Sequence, residues 1–123
     1  MDPVQVVQEF IDAFNARDVD RVVGCFSADA VMQSDPGTVF AQGQEAIRAH
    51  FGSFLPQSPN LHAEILSRIH VGSWVVQEER GTGLVLGEPV PEFSIIDAYR
   101  VEDGKIVKCI GLQTVQTNHS APP

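Results

Sequence analysis

The sequence is poor in cysteine and has no long apolar run. Its two cysteines are too few for a disulfide framework and match no metal-ligand spacing. No apolar stretch approaches the ~18 residues of a membrane-spanning helix. The N-terminus also lacks the basic segment and apolar segment of an export signal. We therefore expect a cytoplasmic protein that needs no metal or cofactor.

Basic residues are scarce as well. The 8 lysines and arginines stand against 16 aspartates and glutamates, for a formal net charge of −8. Such a surface repels phosphate backbones and anionic lipids, so we expect no binding to nucleic acid or membranes. The length fits a single domain over residues 1–115. The polar segment 116–123, which ends in Pro-Pro, is predicted to be frayed.

The first half of the sequence predicts three helices. Asp2, Pro3 and Gln5 suit an N-cap, a first-turn proline and a capping-box partner. Apolar stripes at helical spacing follow, the second after the cap residue Asp18 and the third before the helix-breaking Pro56. These stripes comprise Val4, Val7, Phe10, Ile11 and Phe14; Val19, Val22, Val23 and Phe26; and Ala46, Ile47, His50, Phe51 and Phe54.

Beyond residue 60 the apolar period changes from helical to alternating, which is typical of strands. A short strand is predicted earlier, at Ala30–Met32, before the turn signal Asp35-Pro36-Gly37. Helices gathered before a run of antiparallel strands indicate an α+β fold, with the helices on one face of a curved sheet. The four long predicted strands are Leu61–Val71, Trp74–Thr82, Glu92–Val101 and Lys105–Val115.

Asp97 is the only charged residue in an otherwise apolar row of a predicted strand. Alternation places it on one face with Phe93, Ile95, Tyr99 and Val101. A carboxylate in such surroundings must be paired, hydrogen-bonded or protonated, because burying an isolated charge is costly. Asp97 is therefore either the acid, base or oxyanion donor of a pocket, or a structural carboxylate that holds a neighbouring strand.

The strand Trp74–Thr82 does not disclose its buried face, because both alternating sets of side chains carry charge. If Arg80 points inward, it can pair with Asp97 or Glu78 and keep Asp97 ionised. Otherwise Arg80 forms a solvated surface ion pair. The two sets are Trp74, Val76, Glu78, Arg80 and Thr82, and Val75, Gln77, Glu79 and Gly81.

The histidines and cysteines are weaker candidates. No two histidines have a metal-ligand spacing, so no metal site is predicted. His50 is interpreted as a core-edge residue that makes one hydrogen bond. Cys25 and Cys109 are interpreted as small buried side chains rather than nucleophiles.

Several segments resemble the nuclear transport factor 2-like superfamily, and more closely its SnoaL-like and steroid Δ-isomerase-like branch. The resemblance covers about Val4 to about Thr114 and implies a cone-shaped roll of three N-terminal helices on a strongly curved mixed or antiparallel sheet, with a pocket inside. It also implies a homodimer formed through the open sheet face. The superfamily contains isomerases, cyclases, epoxide hydrolases and proteins without known activity, so fold alone does not define function. The segments that carry the resemblance are Val6–Asp18, Phe26–Ala30, Gly43–Ile47, Ile96–Val101 and Asp103–Ile106.

Three positions carry the comparison with the steroid isomerases. Asp97 matches their oxyanion-hole aspartic acid, whereas their oxyanion-hole tyrosine falls on Phe10, which has no hydroxyl. Their general-base aspartate falls on Ser34, or on Asp35 after a one-residue shift. Loss of an oxyanion donor typically costs ~10²–10³ in rate. Efficient ketosteroid isomerisation is therefore not expected.

The limonene-epoxide hydrolase pattern is also incomplete. Arg80 matches the arginine of its Arg-x-Asp pair, but Thr82 stands in place of the aspartate, and the second aspartate falls on Gly111. The side that both alignments imply to face the pocket comprises Arg80, Thr82, Asp97, Cys109, Gly111 and Gln113, with Glu78 and Tyr99 on the same parity.

The resemblance thus implies a pocket for a small apolar molecule of steroid or polyketide size. The leading hypothesis is an isomerase- or cyclase-like enzyme that transfers a proton next to a carbonyl, with Asp97, Asp35 and Arg80 as catalytic candidates. The alternatives are a non-catalytic ligand-binding or dimerisation module of the same fold, and an epoxide hydrolase-like enzyme. The other residues expected to line the pocket are Phe10, Phe14, Phe54, Trp74, Glu78, Thr82, Tyr99, Cys109 and Gln113.

Overall fold

Three helices pack on a six-stranded mixed sheet, so the predicted α+β fold is confirmed. The structure is a computed structural model, which describes residues 2–116 and their side chains as far as Leu112. The helices are α1 (Pro3–Asn15), α2 (Val19–Gly24) and α3 (Gly43–Gly52). The strands are β1 (Phe26–Asp35), β2 (Thr38–Gln42), β3 (His62–Val71), β4 (Trp74–Thr82), β5 (Val85–Leu86), β6 (Glu88–Pro89), β7 (Phe93–Glu102) and β8 (Lys105–Gln116).

The helix starts follow the predicted capping residues. Asp2 and Gln5 form a capping box, in which each side chain accepts a hydrogen bond from the other residue's backbone N–H, at 2.9 and 3.0 Å. Asp18 caps α2 by accepting from the backbone N–H of Arg21 at 3.1 Å. At the other end of α1, the Asn15 amide exchanges two hydrogen bonds with the backbone of Ala63. These bonds attach α1 to the start of β3.

The six strands lie in the order β2-β1-β8-β7-β4-β3, with β1 and β8 parallel and the other neighbours antiparallel. The pairing places Val75, Tyr99 and Cys109 in one row across three strands. Gln77, Asp97 and Gly111 form the next row. A bulge at Leu112 of β8 ends this regular pairing beside Asp97. Bulges bend a strand and re-aim the side chains beside them.

The core lies between the helices and the sheet. Phe10 of α1 sits at its centre, with ring centroids 5.4 Å from Phe26, 5.7 Å from Phe51 and 5.7 Å from Tyr99. All four rings are buried. The predicted helical stripes supply one side of this core and the strands supply the other.

Two element boundaries differ from the prediction because the chain forms contacts that are distant in sequence. Phe26 does not continue α2 but begins β1, a ten-residue strand instead of the predicted three. It pairs there with Ile106 of β8, whose N–H donates to the Cys25 carbonyl at 2.8 Å. Helix α3 ends at Gly52, before Phe54, although Phe54 still packs against the core.

The C-terminal boundary also shifts. Gln116, predicted to begin a frayed tail, is the last residue of β8, and the rest of that predicted tail lies outside the described residues. None of the helices within residues 2–116 is long and apolar enough to cross a membrane. The single domain over residues 1–115 and the cytoplasmic location stay predictions from the sequence.

Candidate functional site

A cavity of about 500 Å³ lies between the helices and the inner face of the sheet. Its volume and mainly apolar wall are typical of pockets that enclose a small organic molecule. Polar groups reach it at a few positions, among them Asp97 and Glu79 on the sheet side and His50 on α3. The aromatic residues in its wall are Phe10, Phe14, Phe40, Phe51, Phe54, Phe93 and Tyr99.

Six of the predicted site residues lie where the sequence placed them. The cavity wall includes Asp97 of β7, which is partly exposed to the cavity. The side chain of Gln113, another predicted wall residue, lies outside the described part of the chain. The other five predicted residues in the wall are Phe10, Phe14, Phe54, Tyr99 and Cys109.

The predicted orientation of β4 is wrong. Its buried side chains are Val75, Gln77, Glu79 and Gly81, and of these Glu79 and Gly81 line the cavity. The predicted wall residues on β4 belong to the opposite set, which faces away. That set includes the predicted residues Trp74, Glu78, Arg80 and Thr82.

Arg80 therefore does not pair with Asp97. Its guanidinium lies on the outer side of the sheet, 3.5 Å from the Glu64 carboxylate, and its side chain is 42% exposed. The cavity wall within the described residues contains no lysine or arginine. Asp97 consequently has no cationic partner in the wall that would keep it ionised.

No carboxylate lines the cavity at the position that the resemblance to the steroid isomerases implies for a general base. Ser34 lines the cavity, whereas Asp35 is exposed in the β1–β2 turn, where it accepts a hydrogen bond from the Thr38 hydroxyl at 2.8 Å. Asp35, one of the three catalytic candidates, therefore does not line the cavity. The ungapped alignment, which implied Ser34, describes the structure better.

Asp97 belongs to a connected group of buried polar side chains. The Tyr99 hydroxyl donates to Glu79 Oε2 at 2.6 Å and lies 3.4 Å from Asp97 Oδ2. The Gln77 amide also donates to Glu79 Oε2, at 2.7 Å. The Asp97 and Glu79 carboxyl groups also interact with each other, and a hydrogen bond between them requires a proton on one of the two. At the outer end, Arg68 Nε donates to Gln77 Oε1 at 2.8 Å.

The surroundings of the two carboxyl groups decide where that proton lies. Burial raises the pKa of both, but the hydrogen bonds from Tyr99 and Gln77 oppose this rise at Glu79. For Asp97, the nearby charge of Glu79 adds to burial, and its pKa lies well above the usual value. Asp97 is therefore the protonated member and Glu79 the anion. This is how two close carboxyl groups share one proton.

The neighbouring titratable groups also stay neutral. Burial, together with the Glu79 and Asp97 carboxyl groups, raises the pKa of Tyr99 well above its usual value. Burial likewise raises the pKa of Cys109, so its thiol is not an activated nucleophile. The site can thus donate a proton or hydrogen bond from Asp97 into an apolar cavity.

Glycines at two positions of the sheet leave space around these buried polar side chains. A Cβ at Gly81 would lie 2.6 Å from the Phe93 ring, so glycine lets Phe93 close the cavity over β4. A Cβ at Gly111 would lie 3.3 Å from the Ser34 carbonyl and 3.7 Å from Asp97 Oδ1. The small residue leaves the Asp97 carboxyl open to the cavity.

Sequence reasoning missed Glu79, the partner of Asp97. One signal was available, because a glycine inside a strand often marks a close approach of another group. Gly81 is such a glycine, and it shares the parity of Glu79 rather than of Arg80. It favoured the face that the structure shows to be buried.

The chain is similar to a known protein family and to solved structures over most of its length. A family model described as SnoaL-like domain matches residues 7–109. No curated protein matches the sequence. An uncharacterized cystatin fold protein from Novosphingobium aromaticivorans is 28% identical, with a TM-score of 0.84 over 92% of this chain and 99% of that one.

Two solved enzymes share the fold at lower identity. One is an epoxide hydrolase/cyclase-like enzyme of pyran ring formation in the polyether salinomycin, with 19% identity and a TM-score of 0.77 over 94% of this chain and 95% of that one. The other is an epoxide hydrolase from M. tuberculosis, with 18% identity and a TM-score of 0.73 over 89% of this chain and 80% of that one.

Proposed function

The chain belongs to the SnoaL-like family, and from this premise we propose that it is an isomerase- or cyclase-like enzyme acting on a small apolar molecule. In this function the protonated carboxyl of Asp97 donates a hydrogen bond to a carbonyl oxygen of the ligand. It thereby assists proton transfer at the adjacent carbon. Enzymes among the structural relatives support a small-molecule function of this kind.

The observation that carries the proposal is the pairing of Asp97 with Glu79 at the wall of an apolar cavity. A carboxyl group that keeps its proton can stabilise negative charge that develops on a carbonyl oxygen. Few polar groups in the wall compete for that oxygen, and an apolar environment strengthens the hydrogen bond.

The charges around the cavity favour an uncharged ligand. Glu79 is an anion beside Asp97, and no lysine or arginine lines the described wall to neutralise a carboxylate or phosphate on the ligand. Neutral ketones and related carbonyl compounds therefore fit better than short acyl acids. The ring-lined wall favours flat or polycyclic molecules.

A thermal-shift screen tests the proposal. The panel contains steroid ketones, aromatic polyketides, terpenoid epoxides and short acyl acids. A ligand at a hundredfold excess over Kd stabilises the native state by ~2.7 kcal/mol. We expect neutral carbonyl compounds to raise Tm, and any that bind are then tested for turnover with wild type, Asp97→Asn and the matched control Asp103→Asn, which changes an exposed residue of the β7–β8 turn.

The screen also separates the alternatives. Turnover lost in Asp97→Asn but kept in Asp103→Asn supports the proposal. Binding without turnover would instead indicate the ligand-binding module, and selective hydrolysis of epoxides would indicate an epoxide hydrolase. A panel in which only the acyl acids raise Tm would contradict the proposed neutral ligand.

For the outer face of the sheet, we propose a second copy of this chain as the partner. Strand pairing places Ile69, Val76, Ala98 and Ile110 in one apolar row across four strands. Ile69 is 62% exposed, although its side chain is fully apolar. A row with Arg100 and Lys108 lies on one side of this apolar row, and a row with Glu78 on the other. A twofold axis through the apolar row would bring basic and acidic side chains together.

A further inference from the structure

His50 lies at the edge of the core, as the sequence predicted, but it also forms part of the cavity wall. It lies on the last turn of α3, and its side chain lines the cavity. Its ring packs between three aromatic rings, with centroid distances of 5.0 Å to Phe40, 4.9 Å to Phe51 and 5.4 Å to Phe54. No described residue forms a hydrogen bond with its ring nitrogens, so the predicted single bond is missing.

This placement gives the cavity a second titratable group, on the helical wall and separate from the carboxyl pair. The titratable side chains facing it across the cavity are Glu79, Asp97, Tyr99 and Cys109 on the sheet. The charged pair near α3, Arg48 with Asp20, lies at the surface. Burial lowers the pKa of His50, so its imidazole is neutral and can accept a proton.

We propose that His50 is the general base of the cavity, which removes the proton from the carbon next to the carbonyl held by Asp97. The inference rests on the proposed function and adds a residue and a role to it. Among the described wall residues, Asp97 and Tyr99 carry protons. Glu79 Oε2 already accepts hydrogen bonds from Tyr99 and Gln77. The imidazole of His50 is the neutral acceptor without such partners.

The step balances without any co-reactant. An imidazole nitrogen takes the proton, and the C–H electron pair forms the C=C bond of an enol. The carbonyl π pair moves to the oxygen, which takes a proton from Asp97. When the enol is conjugated with a second C=C bond, the imidazolium can return its proton to the far carbon of that system while the enol O–H returns its proton to Asp97, which gives an isomer and restores both residues. In D₂O the imidazolium exchanges its proton for deuterium first, so the ketone becomes labelled.

Exchange into 2-tetralone, a neutral bicyclic ketone, tests the inference. Wild type should exchange the protons next to the carbonyl for deuterium, measured by ¹H NMR. His50→Ala and His50→Gln should lose about 10²-fold in rate, the usual contribution of a general base. Added imidazole should restore part of the rate in His50→Ala. His70→Ala is the matched control, because His70 is exposed on β3, and it should exchange like wild type.

The pH profile distinguishes a base from a packing residue. The wild-type rate should fall as pH drops through the lowered pKa of His50, and His50→Gln should lack this fall. Full exchange in both His50 variants would overturn the inference, and a loss confined to Glu79→Gln would assign the base to Glu79 instead. Both outcomes leave the proposed function intact. No exchange by wild type above free imidazole would overturn the proton-transfer function and the base together.

Discussion

The Tyr99 hydroxyl donates a 2.6 Å hydrogen bond to the carboxylate of Glu79 on the buried face of the sheet. The bond stabilises negative charge on Glu79, and that charge in turn opposes ionisation of Asp97. Tyr99 and Glu79 thus influence the protonation of Asp97, although neither is its partner in the strand pairing.

Asp97→Asn should flatten the pH dependence of stability. Because the native pKa of Asp97 lies above the unfolded value, the native state keeps a proton that the unfolded state has lost. Stability therefore falls as pH rises from the usual carboxyl pKa to the raised one. Asparagine removes this contribution. Urea unfolding of both proteins across that pH range measures it, and parallel curves would contradict a raised pKa at Asp97.

Tyr99→Phe should destabilise the fold by about 1–3 kcal/mol, because the buried Glu79 carboxylate loses its short donor. The ring contact with Phe10, at 5.7 Å, should remain. Chemical denaturation gives the change in the free energy of unfolding. In the double variant Tyr99→Phe with Glu79→Gln, most of the loss should be recovered. If the double variant is no more stable than Tyr99→Phe, the cost does not arise from Glu79.

Arg80→Ala should change stability by less than ~1 kcal/mol, since its ion pair with Glu64 is exposed. It should also leave ligand binding in the cavity unchanged. Arg68→Ala is the informative comparison, because Arg68 Nε binds the Gln77 side chain that holds Glu79. We expect Arg68→Ala alone to weaken ligand-induced thermal shifts. If Arg80→Ala weakens the thermal shifts and Arg68→Ala does not, Arg80 would instead act as the partner of Asp97 that the sequence suggested.

Val76→Glu should dissociate the proposed homodimer. Val76 lies in the middle of the outer apolar row, between Ile69 and Ala98. The carboxylate of the introduced glutamate would therefore face the same carboxylate of the second copy across a twofold axis. Sedimentation equilibrium compares the masses of the two proteins in solution. Glu88→Gln, in the exposed β5–β6 hairpin, serves as the control. A monomeric wild type at high concentration would contradict the proposal.

Much of the architecture could be predicted because it depends on local pattern. The Asp2 cap and the apolar stripe of α1 appear as expected, as do the strand Trp74–Thr82 and the Asp103-Gly104 turn with two positive φ angles. Short-range spacing determines which face of a helix is apolar and where a turn forms. The first strand was predicted too short, because its pairing partner, β8, is distant in the sequence.

The same distinction between local sequence pattern and contacts distant in sequence applies to the site. Alternation along the predicted strand is enough to identify Asp97 as a lone carboxyl in an apolar row, and the resemblance to the steroid isomerases is enough to align Phe10 with their tyrosine. The meeting of Asp97 with Glu79 instead of Arg80 depends on the folded sheet, because both faces of β4 carry charge and the pairing register with β7 selects between them. Neighbouring residues of a strand point to opposite faces, so the buried face of β4 brings the anionic Glu79 to Asp97 in place of the cationic Arg80. That exchange makes Asp97 an acid instead of an ionised carboxylate.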